Sequence, residues 1–86
     1  MSAGASDIVP PNPAARAAIL RLAQDAQARG QIYHAIHAYN HLLGQYPATE
    51  ESRKAVGELI GLARFLEQQG MYHTAMSLYQ QLEGLT

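Results

Sequence analysis

The run Ile19-Leu20-Arg21-Leu22-Ala23-Gln24-Asp25-Ala26-Gln27-Ala28-Arg29-Gly30-Gln31-Ile32-Tyr33-His34-Ala35-Ile36-His37-Ala38-Tyr39-Asn40-His41-Leu42-Leu43 holds two apolar stripes at helical spacing with a glycine between them. Ala15, Ile19, Leu22, Ala23 and Ala26 form the first stripe, and Ile32, Ala35, Ile36, Tyr39, Leu42, Leu43 and Tyr46 form the second. Gly30 stops the first helix because glycine enters the left-handed conformation at little cost. Upstream, Asn12 followed by Pro13 is a helix start, with Asn able to accept a free backbone N–H and Pro losing nothing at the first helical position. Downstream, Pro47 ends the second helix.

The pattern then starts again. Thr49 can cap a third helix, and Glu50 and Glu51 suit the positive end of its dipole. Its stripe is Val56, Leu59, Leu62, Ala63 and Leu66, closed by Gly70. A fourth helix, about Met71 to Leu82, shows Tyr72, Ala75, Met76, Tyr79 and Leu82. No segment alternates with the period of a strand, so the expected fold is all-α with four helices. At an offset of 40, Leu22/Leu62, Ala23/Ala63, Gly30/Gly70, Ala35/Ala75, Tyr39/Tyr79, Leu42/Leu82 and Gly44/Gly84 are identical. Identity falls where the two helices of a hairpin would touch, which is the signature of a structural repeat. Hairpin one is expected over about 13–46 and hairpin two over about 50–83, within a helical domain 12–86. Residues 1–11, ending in Ile8-Val9-Pro10-Pro11, have no helical period and read as a flexible, extended tail.

Ile19, Leu22-Ala23, Gly30, Ala35, Tyr39, Leu42 and Pro47, with Leu59, Leu62-Ala63, Gly70, Ala75, Tyr79 and Leu82 in the second copy, resemble the tetratricopeptide repeat (TPR) pattern. Alanine is small where two helices approach closely, the tyrosine fills the gap beside it, and glycine makes the turn. The spacing of 40 residues exceeds the family period of about 34. The extra residues, Ala48 to Lys54, are expected to extend the third helix at its N-terminus.

The resemblance implies two hairpins stacked as a short right-handed solenoid whose inner surface binds protein. By register that groove would present Ala17, Leu20, Gln24, Gln27 and Ala28 from the first hairpin, and Gly57, Ile60, Arg64, Glu67 and Gln68 from the second. Chaperone-binding members of the family clamp a terminal carboxylate with several cations and amides, whereas here Arg64 is the single cation. A short helix or an extended apolar peptide is the better-matched ligand. Helical arrays usually need about three repeats, with capped ends. This chain has two, and no capping helix follows Leu82. The last hairpin is therefore expected to expose an apolar strip drawn from Met71, Met76, Leu78 and Leu85, used for self-association or for docking on a larger protein.

Other chemistries find little footing. His34, His37 and His41 share a helix face, but with about 1.5 Å rise per residue the outer two cannot reach one metal. His37 and His41 could pair on a metal only with ligands from another chain, so a solvated face is expected and no metal or cofactor is assigned. None of Ser2, Ser6, Ser52 and Ser77 sits in a strained or glycine-framed turn, and Glu50, Glu51, Glu58 and Glu67 read as solvated. No phosphate loop or dinucleotide fingerprint occurs, and no enzyme activity is expected.

Composition agrees. The 86 residues suffice for one small domain, 48% of them hydrophobic and 15% charged. Six Lys+Arg against seven Asp+Glu give no basic stripe, and the helices after Gly30 and Gly70 contain no Lys or Arg, which disfavours nucleic acid. Cysteine is absent, so neither a disulfide framework nor a thiolate site can form. No apolar run suits a membrane span, and Met1 to Asp7 lacks the features of a signal peptide, leaving the cytoplasm as the default location. The expected function is a non-catalytic adaptor or scaffold that binds a partner helix or peptide and self-associates. The alternative is a small structural accessory subunit docked permanently in a larger complex.

Overall fold

Gly30 and Gly70 each close one helix and open the next with the same backbone geometry. Their φ angles are +77° and +81°, in the left-handed region that penalises any residue carrying a Cβ. At the first turn Gln31 N–H donates to Ala26 O at 2.8 Å and Gly30 N–H to Gln27 O at 3.0 Å. At the second, Met71 N–H donates to Leu66 O at 2.9 Å and Gly70 N–H to Glu67 O at 3.0 Å. Both are Schellman caps, in which the chain turns back and satisfies the last carbonyls of the helix it leaves.

A computed structural model describes residues 13–84 of the chain. They form four helices: α1 Pro13–Ala28, α2 Ile32–Gln45, α3 Glu50–Gln68 and α4 Tyr72–Glu83. Among the described residues there is no strand. The tail 1–11, the cap at Asn12, and Leu85 lie outside the described residues.

Helix α2 ends at Gln45 with Tyr46 as its C-cap, before Pro47. Ala48 takes φ +64° and passes the chain to Thr49. There the hydroxyl donates to Tyr46 O at 2.8 Å and accepts from Ser52 N–H at 3.1 Å. The expected cap is therefore made, and Glu50 and Glu51 occupy the first turn of α3. Of the extra residues, Ala48 and Thr49 form the junction and Glu50 to Lys54 are helical.

Helix α1 packs on α2 and α3 packs on α4, while α2 also packs along α3 and α1 meets α3 over a shorter stretch. Arg16 Nε donates to Glu51 Oε1 at 3.0 Å across that shorter contact. Gln81 Nε2 donates to Asn40 Oδ1, a side-chain bridge from α4 to α2. Tyr39, Leu42, Leu59 and Leu66 are the largest fully buried side chains, joined by Ala23, Ala35, Ala55, Leu62, Ala63 and Ala75. The alanines at the hairpin seams are the small residues that let α2 and α4 lie close to their partners. Ser52 is also buried, and no buried side-chain N or O among the described residues lacks a hydrogen-bond partner.

The expected stripes need correction at two helices. Leu22 is 65% exposed although Leu62, forty residues on, is 2% exposed. Leu62 faces the first hairpin, whereas no helix among the described residues occupies the corresponding place over Leu22. In α4, Ala75, Leu78 and Leu82 turn inward, while Tyr72 and Met76 point out. Leu78, expected on an exposed strip, is 4% exposed and belongs to the core. The reason is geometric: the α4 backbone lies close to α3 alone, with the Gln81–Asn40 bridge as its side-chain link to α2, so chiefly the narrow face toward α3 is covered.

Candidate protein-binding surface

The residues expected to line one groove are divided among separate depressions. Ala17 and Leu20 sit in a shallow cleft with Arg21, Glu50, Glu51 and Lys54, where α1 meets the start of α3. Leu20 is largely buried there, so it serves packing more than contact with a ligand. Gln27 and Ala28 line a second cleft with Gly30, Ile32, Gly61, Leu62 and Phe65, between the first turn and α3. Arg64, Glu67 and Gln68 do share a depression, with Tyr72 completing it. Gln24 and Gly57 are exposed and line none of these.

Ile60 instead looks toward α4. It borders a cleft of about 560 Å³ together with Val56, Met76, Tyr79, Leu82 and the polar pair Gln80 and Glu83. The structure thus brings Ile60, expected in the groove, together with Met76, expected at the docking end. Met76 is 55% exposed, and Met71 and Tyr72 on the same hairpin are also exposed. A half-open cleft with a flexible thioether and a tyrosine ring at its mouth can accept an apolar side chain from a partner and reshape around it.

Val56 and Tyr79 are contributors to this cleft that stripe reading placed only in the core. Phe65, partly exposed beside the first turn, was missed altogether. Its signal was present in the repeat comparison, since Phe65 stands where the first copy has Asp25. A change from acid to aromatic marks a position whose surroundings differ between the two hairpins.

Electrostatics are modest. The Tyr39 phenol is pushed up to about 12, first by burial and then by the negative charge of Glu58. Tyr79 is also raised, by burial, by its hydrogen bond to Glu67 and by the charge of that carboxylate, with Arg64 opposing. Glu51 is held below the usual carboxylate range, chiefly by the hydrogen bond from Arg16 and then by a backbone N–H. His34, His37 and His41 are exposed, and the His41 ring meets Tyr46 edge-on at 6.4 Å. Among the described residues no three His, Cys, Asp or Glu side chains gather as a metal site. No helix among them is long and apolar enough to cross a membrane.

No family model matches the chain, and no curated protein or solved structure matches it either.

Proposed function

We propose that this chain is a TPR-like, non-catalytic protein-interaction module that holds a helix or short peptide of a partner and also associates with itself. The observation that carries the reading is the apolar cleft of about 560 Å³ between α3 and α4, which Ile60 and Met76 both line. Its shape and lining suit one or two apolar anchors of an amphipathic helix, with Gln80 and Glu83 at the rim to bond the partner's polar face. Arg64, beside Glu67 and Gln68, is a secondary polar contact point.

The test is selection from a displayed library of random peptides on the immobilised full chain, followed by titration of the enriched sequences. Peptides that bind and are weakened at least about tenfold, ~1.4 kcal/mol, by Met76→Glu support the module. Failure to enrich any sequence above background sinks the peptide-binding reading.

The exposed Met71 and Tyr72, on the same hairpin as that cleft, favour a second reading: a structural subunit whose α3–α4 end is docked on a larger assembly. That surface would then give a partner of fixed stoichiometry and slow dissociation, in place of exchangeable peptides.

A further inference from the structure

The chain contains one helical docking step, between its own hairpins. Helix α3 of the second hairpin brings Gly61, Leu62 and Phe65 against the turn of the first, where Gln27, Ala28, Gly30 and Ile32 line the other side of the same cleft. Shifted by 40 residues, the receiving set becomes Glu67, Gln68, Gly70 and Tyr72. Glu67, Gln68 and Tyr72 again line a depression, and Gly70 repeats the backbone angle of Gly30. Shifted the other way, the inserting set becomes Arg21, Leu22 and Asp25. Both sets lie open: Leu22 is 65% and Tyr72 is 63% exposed.

We infer that the α1 face of one copy, led by Leu22, docks on the α3–α4 turn of the next, led by Tyr72, and so repeats between chains the step made within one. The inference rests on the self-association part of the proposed function and gives it a polarity. Charge supports the same occupant. The inserting face carries Arg21 and Asp25 and the receiving depression carries Arg64 and Glu67, one cation and one anion on each side of the contact. Continuity supports it as well, because Met76 extends the receiving face at the position where Ile36 lies half-buried in the first hairpin.

Such a contact is heterologous. Each copy uses two different faces, so association proceeds head to tail and does not close as a two-fold dimer. It is also weaker than the internal step, since Phe65 and Leu66 on α3 correspond to Asp25 and Ala26 on α1, which carry less apolar surface.

The experiment is sedimentation of the full chain over a wide concentration range, with helical content checked by circular dichroism. Wild-type mass should climb steadily with concentration. Leu22→Glu and Tyr72→Glu should each remain monomeric and helical, while their equimolar mixture should reach the mass of a pair and stop, because each supplies the face the other lacks. A variant that associates like wild type, or a mixture that stays monomeric, overturns the polarity. Wild type that is monomeric throughout overturns self-association altogether, and the peptide reading then stands or falls on its own titration.

Discussion

The Tyr39 hydroxyl donates to Oε1 of Gln27 at 2.7 Å, tying the two helices of the first hairpin together near their turn. Forty residues on, the Tyr79 hydroxyl donates to Glu67 Oε1 at 3.1 Å in the same way. The first bond sits beside a fully buried ring and the second at the surface, so the two should differ in what they contribute.

Removing the first should cost little at neutral pH and change the alkaline behaviour. Tyr39→Phe keeps the ring and leaves a half-exposed Gln27 able to bond water, so a loss of about 1 kcal/mol is expected in urea unfolding. The folded chain holds the Tyr39 proton up to about 12, against 10.0 for the unperturbed phenol. Between those values the unfolded state has released a proton that the folded state keeps, so stability is full below the lower value and falls as pH rises toward the upper one. In the Phe variant that alkaline decline should be shallower. An unchanged slope would mean that Tyr39 is not the group responsible.

Two leucines forty residues apart, Leu22 and Leu62, should behave oppositely. Leu62→Ala empties a core position between the hairpins, and about 2–5 kcal/mol of destabilisation is expected. Leu22→Ala, on an exposed face, should stay within about 0.5 kcal/mol in dilute monomer. Thermal and urea unfolding of both variants at low concentration check the contrast.

The fourth helix offers a similar pair. Leu78→Glu places a charge in the seam between α3 and α4 and should unfold the second hairpin, seen as lost helical ellipticity in circular dichroism. Met76→Glu, two positions earlier on the outer face, should keep the full helical signal. If Leu78→Glu folds normally, the register of α4 is wrong.

Glycines divide into two kinds. Gly30→Ala and Gly70→Ala force a Cβ into the left-handed region, at a cost of about 1–2 kcal/mol each. Gly57 and Gly61 lie inside α3, and a Cβ added at either meets nothing within 4 Å. Their replacement by Ala should stabilise the chain by about 0.5–1 kcal/mol each. A stabilised Gly57→Ala or Gly61→Ala that also loses partner binding would show that a second backbone approaches α3 closely at that point.

Much of this was legible in the residues. Thr49 announces a cap, and Gly30 and Gly70 announce turns, because each acts through its own local backbone. The helices follow from the stripes for the same reason. What stripes do not carry is which neighbour covers them. Leu22 and Leu62 look alike on paper and end on opposite sides of the solvent boundary, because only one has a hairpin beside it. The groove inferred from the TPR resemblance assumed that Ala17, Ile60 and Arg64 face one concavity; helix packing sends them to three. Pairing Ile60 with Met76 required the rotation of α4 about its axis, which depends on Leu78 and Leu82 reaching α3 and has no local sequence signal.

Helix α3 touches each of the other three, whereas the backbones of α1 and α4 never meet. Opening events should therefore be graded along the molecule. Helix α4 can detach while α1, α2 and α3 stay assembled, whereas α3 cannot come loose without taking α4 with it and leaving only the α1–α2 hairpin. Its central amides, around Leu59 to Ala63, would then exchange with solvent only through loss of the whole second hairpin, and those of α4 through a cheaper, partial excursion. Such an excursion would bare the inner leucines of the second hairpin for a moment while the first remains intact.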